Sequence, residues 1–232
     1  MQPRNSHLSL TGIVVGSRVF SESGRFVDLL TKEYGRISLV ARGARASKKR
    51  FAGALDLFIS LDVEVSTKKH PWVLESAEIR NVRLGIRDNL EAFKRAQIVC
   101  EIVQACAHEN MVLDGFYEAV ERAFDLLTRH ASFEAAGEYP KILKSLGIFP
   151  DLSVCKECGL EQPMALMESH GYIKPVCLSC ENENVSRDAF AVLKGETCIS
   201  SKSATRLEHF ILDRLEEYLG RGLKTRRICA VL

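Results

Sequence analysis

The sequence lacks any long apolar run, and no stretch approaches the roughly 18 consecutive apolar residues that indicate a transmembrane helix. Residues 1–10 also lack the basic and then apolar pattern of a secretory signal. Aromatic residues are scarce, at 7%. With 46% hydrophobic and 27% charged residues, the 232-residue chain has the composition of one large or two small globular domains, not of a disordered or fibrous protein. We therefore expect a cytoplasmic protein that does not enter a membrane.

Motifs of common catalytic sites are also absent. The chain contains no phosphate-binding Gly-x4-Gly-Lys-Ser/Thr loop and no Gly-x-Gly-x-x-Gly dinucleotide motif. It has neither Gly-x-Ser-x-Gly nor His-Glu-x-x-His, and its six histidines are scattered. The sequence therefore predicts a protein that is not an enzyme.

What the sequence does contain is a segregation of charge that the net value of +2 conceals. Residues 1–80 carry 13 Lys and Arg against 8 Asp and Glu, and residues 185–232 carry 9 against 6. Residues 81–150 carry 8 against 10, and residues 151–184 carry 2 against 6. A basic N-terminal module and a basic tail on either side of an acidic middle indicate at least two functional surfaces.

The strongest local charge signal is a basic run of five cations in nine residues, with only small residues between them and no acid. Its members are Arg42, Arg45, Lys48, Lys49 and Arg50. A helix face would usually alternate such cations with carboxylates. We interpret the run as a loop that contacts nucleic acid, the commonest intracellular polyanion.

Residues 1–80 have the pattern of strands. Apolar residues alternate with mostly polar ones from Leu55 to Val65, and again from Arg36 to Arg42, where the even-numbered positions share the outward face. Residues 11–19, 25–31 and 72–79 are also compatible with strands. Five short strands in so few residues predict a small β-barrel; an OB-fold and an SH3-like barrel remain equally compatible.

From about Arg87 the apolar period changes to that of helices, and the predicted helical domain spans residues 81–232. Gly147 is expected to end a helix. Ser186 is expected to cap a short helix, and Thr205 with Glu208 has the spacing of a capping box at the start of the last one. The helical pattern is interrupted over residues 151–184, so the predicted fold class is α+β.

The interruption contains two Cys-x-x-Cys pairs, Cys155 with Cys158 and Cys177 with Cys180. This spacing is typical of a zinc site with four thiolate ligands, in which no position is left for water, so the metal is expected to be structural. A redox pair and an iron–sulfur cluster are the alternatives. His170, between the pairs, is a further possible ligand. The other cysteines are expected to be small hydrophobic residues.

Two segments carry a family resemblance. The first is GRFVDLLTKEYGRISLVARGAR, from Gly24 to Arg45, followed by SKKRF at 47–51. The second is LGIFPDL, from Leu146 to Leu152, which leads into the first cysteine pair and Gly159. Both resemble the RecO family of bacterial recombination mediators, and the order of barrel, helices, cysteine pairs and basic tail matches over nearly the whole chain.

This resemblance implies an OB-fold at residues 1–80 and a helical domain with a zinc-binding insertion. It also implies binding of single- and double-stranded DNA, annealing of complementary strands, and cooperation with RecR and with the C-terminal tail of the single-stranded DNA-binding protein. Together these proteins would load RecA onto coated single strands, which places the protein at the nucleoid.

The predicted DNA-binding residues rest mainly on charge, and none of them is expected to identify bases. They are Arg36, Arg42, Arg45, Lys48, Lys49 and Arg50, with Lys224, Arg226 and Arg227 in the tail. The tail cations either extend the DNA track or solvate the terminus. Aromatic candidates for base stacking are few, and most can equally belong to the core; they are Phe20, Phe26, Tyr34, Phe51 and Trp72.

Overall fold

A computed structural model describes residues 6–44, 51, 53–149, 151–169, 172–196 and 200–226. It divides the chain into two compact units, Met1–Tyr117 and Glu118–Leu232. The predicted domain boundary at residues 80/81 stays a prediction. In the described part of the chain, no helix is both long enough and apolar enough to cross a bilayer.

The N-terminal unit is built around five strands: β1 (His7–Val19), β2 (Arg25–Thr31), β3 (Gly35–Ala41), β4 (Ser60–Ser66) and β5 (Trp72–Asn81). They form a closed ring in the order β1-β2-β3-β5-β4. All pairs are antiparallel except β3 with β5. The predicted small barrel is therefore present, and its strand order is OB-like.

Alternation places one side of each strand in the barrel core. Val27 and Leu29 of β2 lie inside with Ile37 of β3, and all three are at most 1% exposed. β1 is long enough to pair with both β2 and β4, and its pairing with β2 shifts register between Val14 and Gly16. Such a bulge bends the strand, which helps the sheet to close.

The strand predicted from Leu55 begins only at Ser60. Leu55 instead belongs to a turn that packs into the barrel core, and Phe58 has a left-handed backbone with φ of 73°. Phe58 N–H donates to the Val14 carbonyl at 2.8 Å. The alternation that suggested a longer strand reflects burial of this segment against the barrel.

After the barrel, the unit contains a short helix, α1 (Leu84–Arg87), and a long one, α2 (Leu90–Cys106). The Asn89 side chain accepts the Ala92 N–H and caps α2. Residues of α2 are buried on most sides, as the broad apolar pattern predicts.

The second unit combines helices with a small sheet. Its helices are α3 (Phe116–Thr128, which begins at the end of the first unit), α4 (Ser132–Ala136), α5 (Tyr139–Ser145), α6 (Arg187–Leu193) and α7 (Ser201–Leu219). Between α5 and α6 lie β6 (Ala165–Ser169), β7 (Tyr172–Val176) and β8 (Val185–Ser186), in the sheet order β7-β6-β8. The helices are interrupted in the region of the cysteine pairs, as predicted, and the interruption contains this small sheet.

Two of the three predicted helix ends are confirmed. Gly147 follows α5 with φ of 71°, and the Ser186 hydroxyl caps α6 by accepting the Ala189 N–H. The capping box at Thr205 and Glu208 is wrong, because both residues lie inside α7. Ser200, an earlier residue with a capping hydroxyl, accepts the Ser203 N–H at 3.2 Å and begins the helix.

Candidate metal centre and nucleic-acid interface

The four predicted thiol ligands come together at one point. The sulfur atoms of Cys155, Cys158, Cys177 and Cys180 all lie within 4.8 Å of one another. The Cys158 and Cys177 sulfurs are 3.7 Å apart. Zinc–sulfur bonds of about 2.3 Å place the corners of a tetrahedron roughly 3.8 Å apart, so the cluster has the size of a shell around one metal ion.

Local backbone hydrogen bonds shape the first cysteine pair into a tight turn. Cys155 N–H donates to the Leu160 carbonyl at 2.8 Å, and Gly159 N–H donates back to the Cys155 carbonyl at 2.9 Å. Gly159 has φ of 73°, a conformation that favours glycine. In the second pair, Cys180 N–H donates to the Cys177 carbonyl at 3.0 Å as the chain enters a 3-10 turn.

The thiols differ in their tendency to ionise. Burial opposes ionisation of Cys155, but backbone hydrogen bonds from Cys158 and Cys177 outweigh it and lower the pKa of Cys155 to about 6. The hydrogen bond with the Cys158 thiol, followed by burial, raises the pKa of Cys180 to about 12. One thiolate therefore forms readily and further negative charge is disfavoured, so a bound cation would stabilise the cluster.

The cluster is attached to the small sheet. Cys155 and Cys177 are buried with Ala165, Met167 and Val176, which come from β6 and β7. Lys156 N–H donates to the Pro175 carbonyl at 2.9 Å, which joins the first turn to β7. Because both turns are attached to the same sheet, their four sulfurs converge on one point.

The other two described cysteines are not part of this cluster. Cys100 and Cys106 are buried in α2, as predicted. Burial raises the pKa of the Cys100 thiol, which makes it a poor ligand. Cys198, Cys229 and His170 lie outside the described residues.

Arg36, the first predicted DNA contact, is bonded inside its own unit. Its Nε–H donates to the Ala107 carbonyl at 2.8 Å, and one of its terminal nitrogens lies 3.7 Å from Asp28. Only 18% of its side chain is exposed. The segment after α2 thus covers part of the outward face of β3, including the side chain that alternation places there.

The basic run leaves the barrel at the end of β3. Arg42 is exposed and follows Ala41, the residue of β3 that pairs with Arg25 of β2. Arg45, Lys48, Lys49 and Arg50 lie outside the described residues. Ala44, within the run, and Phe51, directly after it, pack against the barrel core. The described residues on both sides of positions 45–50 therefore belong to the barrel.

The tail cations divide into two groups. Lys224 is exposed and Arg227 lies outside the described residues. Arg226 donates to Glu216 at 2.6 Å and to Asp213 at 2.5 Å. Burial disfavours its charge, but the hydrogen bonds and charges of Asp213 and then Glu216 raise the pKa of Arg226. Its guanidinium therefore joins α7 to the segment that follows it.

Of the aromatic candidates, Phe51 is buried, and Tyr34 packs edge-on against Trp72. Phe20 is different, because 57% of its surface is exposed. Two arginines near Phe20, Arg18 and Arg25, are not among the DNA contacts predicted from charge, because neither belongs to a dense run of cations. Alternation alone does not place Arg18 on the outer surface, because the bulge between Val14 and Gly16 exchanges the two faces of β1.

Comparison with known proteins agrees with this architecture. Residues 6–83 match the sequence model described as "Recombination protein O N terminal". A DNA repair protein RecO of Pelobacter propionicus is 31% identical over 207 residues, which cover 87% of this chain and 82% of that protein. A Thermoanaerobacter relative of the same name is 25% identical over 76% of this chain and 72% of its own.

A third relative, the DNA repair protein RecO of Anaeromyxobacter sp. strain K, is 32% identical over 156 residues. The match covers 66% of this chain and 61% of that protein. With the Pelobacter match extending through most of both chains, the similarity includes the helical and cysteine-containing unit as well as the barrel. The chain belongs to the RecO family.

Proposed function

We propose that this protein is a non-catalytic mediator of DNA repair and recombination that binds single- and double-stranded DNA and anneals complementary strands. It works with RecR to load RecA onto DNA coated with single-stranded DNA-binding protein, at the nucleoid. The observation that carries the proposal is an OB-like barrel with a dense basic run directly after β3 in the sequence, in a member of the RecO family.

The barrel supports the DNA-binding part of the proposal. Its ring closes through the parallel pairing of β3 with β5, and we assign it as an OB-fold, a small barrel that binds oligonucleotides. The basic run from Arg42 to Arg50 neutralises phosphates without identifying bases. Annealing follows when two strands bind with their charge neutralised and their bases exposed.

The size of the electrostatic contribution can be worked out from the run. If about five phosphates of a single strand are neutralised, log K falls with log salt at a slope near −3.5. Affinity then drops roughly 100-fold between about 50 and 200 mM salt. Lys224 and Arg227 are proposed as further phosphate contacts, whereas Arg36 and Arg226, whose guanidinium groups are bonded within the protein, are not expected to add one.

We also propose that the cysteine cluster holds a structural zinc ion. The four sulfurs converge closely enough to enclose one metal ion, and four thiolates leave no open position for a substrate. Replacing Cys155 with serine is expected to release the metal and to lower thermal stability, because metal-binding free energy is also folding free energy. Cys106→Ser, outside the cluster, is the control that should retain one metal ion per chain.

A cavity in the second unit supports a contact with an acidic partner tail. It has a volume of about 320 Å³ and is lined by three cations and one carboxylate, Lys156, Lys174, Arg214 and Asp151, together with apolar Ile173, Pro175 and Phe210. Each cation also pairs with a carboxylate of its own unit, Lys156 with Asp151, Lys174 with Glu157 and Arg214 with Glu217, which a peptide carboxylate would have to share or displace. The Arg214 Nε–H is buried without a hydrogen-bond partner. This chemistry suits a peptide that carries carboxylates beside an apolar group, as we propose for the tail of the single-stranded DNA-binding protein.

The second candidate function is that of an adaptor for which partner proteins are the primary ligands and DNA is secondary. The cavity beside the cysteine cluster and the acidic region 81–184 favour it. The two candidates differ in the affinity of the isolated protein for DNA and in how strongly RecR changes that affinity.

The deciding experiment is a salt series of fluorescence anisotropy with a labelled single strand, before and after adding RecR. We compare the wild type with Lys48→Glu/Lys49→Glu and with Lys194→Glu/Lys202→Glu, a control that reverses two exposed lysines of the other unit. The first variant should reduce the salt slope by about 1.4 or more, and the control should not. Weak, salt-insensitive binding by the wild type, rescued only by RecR, would establish the adaptor instead.

A further inference from the structure

An exposed aromatic group lies at the turn between β1 and β2. Phe20 and Phe26 pack edge to face with ring centroids 4.6 Å apart. The Arg18 guanidinium lies over the Phe26 ring, 4.9 Å from its centroid. We call these three residues the aromatic platform.

The platform is held in place by the turn that carries it. Phe20 N–H donates to the Gly24 carbonyl at 3.0 Å, and Gly24 N–H donates to the Ser21 hydroxyl at 2.9 Å. Phe26 lies on β2 directly opposite Arg18 of β1. These hydrogen bonds fix the backbone of the turn, and Phe26 packs against the Phe20 ring. Little conformational entropy therefore remains to be lost when Phe20 binds a ligand.

Phe20 is not required for the barrel core. Its surface is 57% exposed, whereas Phe51 is 2% exposed within the core. The Tyr34 and Trp72 rings pack against each other. Among the described aromatic residues of the barrel, Phe20 is therefore the one that presents a large part of its ring to a ligand.

The surroundings of the platform are basic. Arg18 is 65% exposed at its side chain, and Arg25 begins β2. Arg25 pairs with Ala41, so Arg42, the residue after β3, lies beside the same end of β2. The nearby carboxylates are Glu22 in the turn, Asp28 at 3.9 Å from Arg18, and Asp56 at 3.5 Å from Arg25. Cations on both sides of an exposed ring match a ligand that has negative charges alternating with flat apolar groups.

We propose that Phe20 stacks on an unpaired base of a single strand, while Arg18 and Arg42 bind the neighbouring phosphates. The inference rests on the proposed DNA-binding function and names the form of DNA that this surface prefers. A duplex has its bases paired and stacked internally, so it offers the platform only its backbone. The protein would then bind a single strand more tightly than a duplex of equal length.

The test uses the full chain with three labelled ligands of 20 units each: oligo-dT, an abasic strand with the same phosphate spacing, and a duplex. Phe20→Ala should weaken oligo-dT binding roughly 5- to 150-fold, the range that corresponds to loss of one base–aromatic stack. Binding of the abasic strand and of the duplex should change less than about twofold, and the salt slope should stay constant, because no cation is removed.

Val19→Ala is the matched control, since Val19 is the preceding residue and is 61% exposed. Phe20→Trp should retain the affinity and show fluorescence quenching when oligo-dT binds, which also verifies that the site accepts a ring. Unchanged oligo-dT binding by Phe20→Ala, or an equal loss with all three ligands, would overturn the stacking role. A wild type that binds all three ligands equally would overturn it while leaving DNA binding itself intact, and a wild type that binds none would overturn both proposals.

Discussion

Arg36 can be used to distinguish a structural role from a DNA-binding role. The charge pattern predicts that it contacts DNA, whereas its hydrogen bond to Ala107 and its ion pair with Asp28 support a structural role. Arg36→Ala removes the charged donor to the Ala107 carbonyl, a bond of 2.8 Å. It also leaves the buried Asp28 carboxylate with the Ser38 hydroxyl at 2.6 Å and Arg18 at 3.9 Å. A hydrogen bond from a charged group contributes about 1.5–3 kcal/mol, so we expect a loss of about 2–3 kcal/mol in unfolding free energy.

The protein supplies its own probe for this measurement. Trp72 is the single tryptophan of the chain, lies on β5 and packs against Tyr34, so its fluorescence reports on the barrel. With a urea dependence of about 2 kcal/mol per molar, the expected loss shifts the unfolding midpoint down by about 1–1.5 M. Arg42→Ala is the comparison: the side chain is exposed, so its loss should change the unfolding free energy by less than the loss of Arg36 does.

The same two variants give opposite expectations for DNA. Arg42→Ala should reduce the salt slope for single-strand binding by about 0.7, the contribution of one phosphate contact, and Arg36→Ala should leave the slope unchanged. An unfolding midpoint that does not move for Arg36→Ala, together with a slope reduced by about 0.7, would refute the internal role. It would establish Arg36 as a phosphate contact.

Three further predictions concern other parts of the chain. Gly35→Ala should destabilise the barrel by about 3 kcal/mol or more in the same urea assay, because a Cβ there would lie 2.0 Å from the Met111 carbonyl oxygen at φ of 64°; an unchanged midpoint would contradict this. Arg226→Ala should lower the melting temperature by several degrees, since it leaves the Asp213 carboxylate, 5% exposed, without its cation. Lys224→Ala, at an exposed side chain, should lower it less; equal melting temperatures of the two variants would show that the ion pair is dispensable. Zinc added to the metal-free protein at about pH 7 should release roughly two protons or more per ion, measured with a pH indicator. The reason is that the pKa values of Cys158 and Cys180 lie above the ordinary thiol value, so both thiols must lose a proton to bind the metal. Binding without proton release would contradict the thiolate assignment.

Much of the fold follows from local patterns in the sequence. The alternation over residues 36–42 and the helical stripe of α7 correctly predict β3 and α7, because in each of them one face meets a core. The cysteine spacing predicts the cluster, since each Cys-x-x-Cys turn directs two sulfurs to the same side. These signals are carried by neighbours in sequence.

What the sequence leaves open depends on contacts between distant residues. Alternation places Arg36 on the outward face of β3, but only the fold shows that Ala107, 71 residues later, accepts its hydrogen bond. Val40 is likewise predicted to face outward, yet it is 7% exposed. A pattern of period two distinguishes the two faces of a strand and does not say whether another segment covers the outer one.

The composition of the small sheet explains why a metal suits this region better than a larger core would. Its buried cluster consists of Cys155, Ala165, Met167, Val176 and Cys177, and two of these are proposed ligands. So few apolar side chains bury too little surface to offset the entropy of ordering the region, whereas four metal–sulfur bonds connect both turns through one centre. The barrel has a separate and much larger apolar core. Loss of metal should therefore unfold the cysteine region while the barrel keeps its structure, so metal content and DNA affinity measure different parts of the molecule.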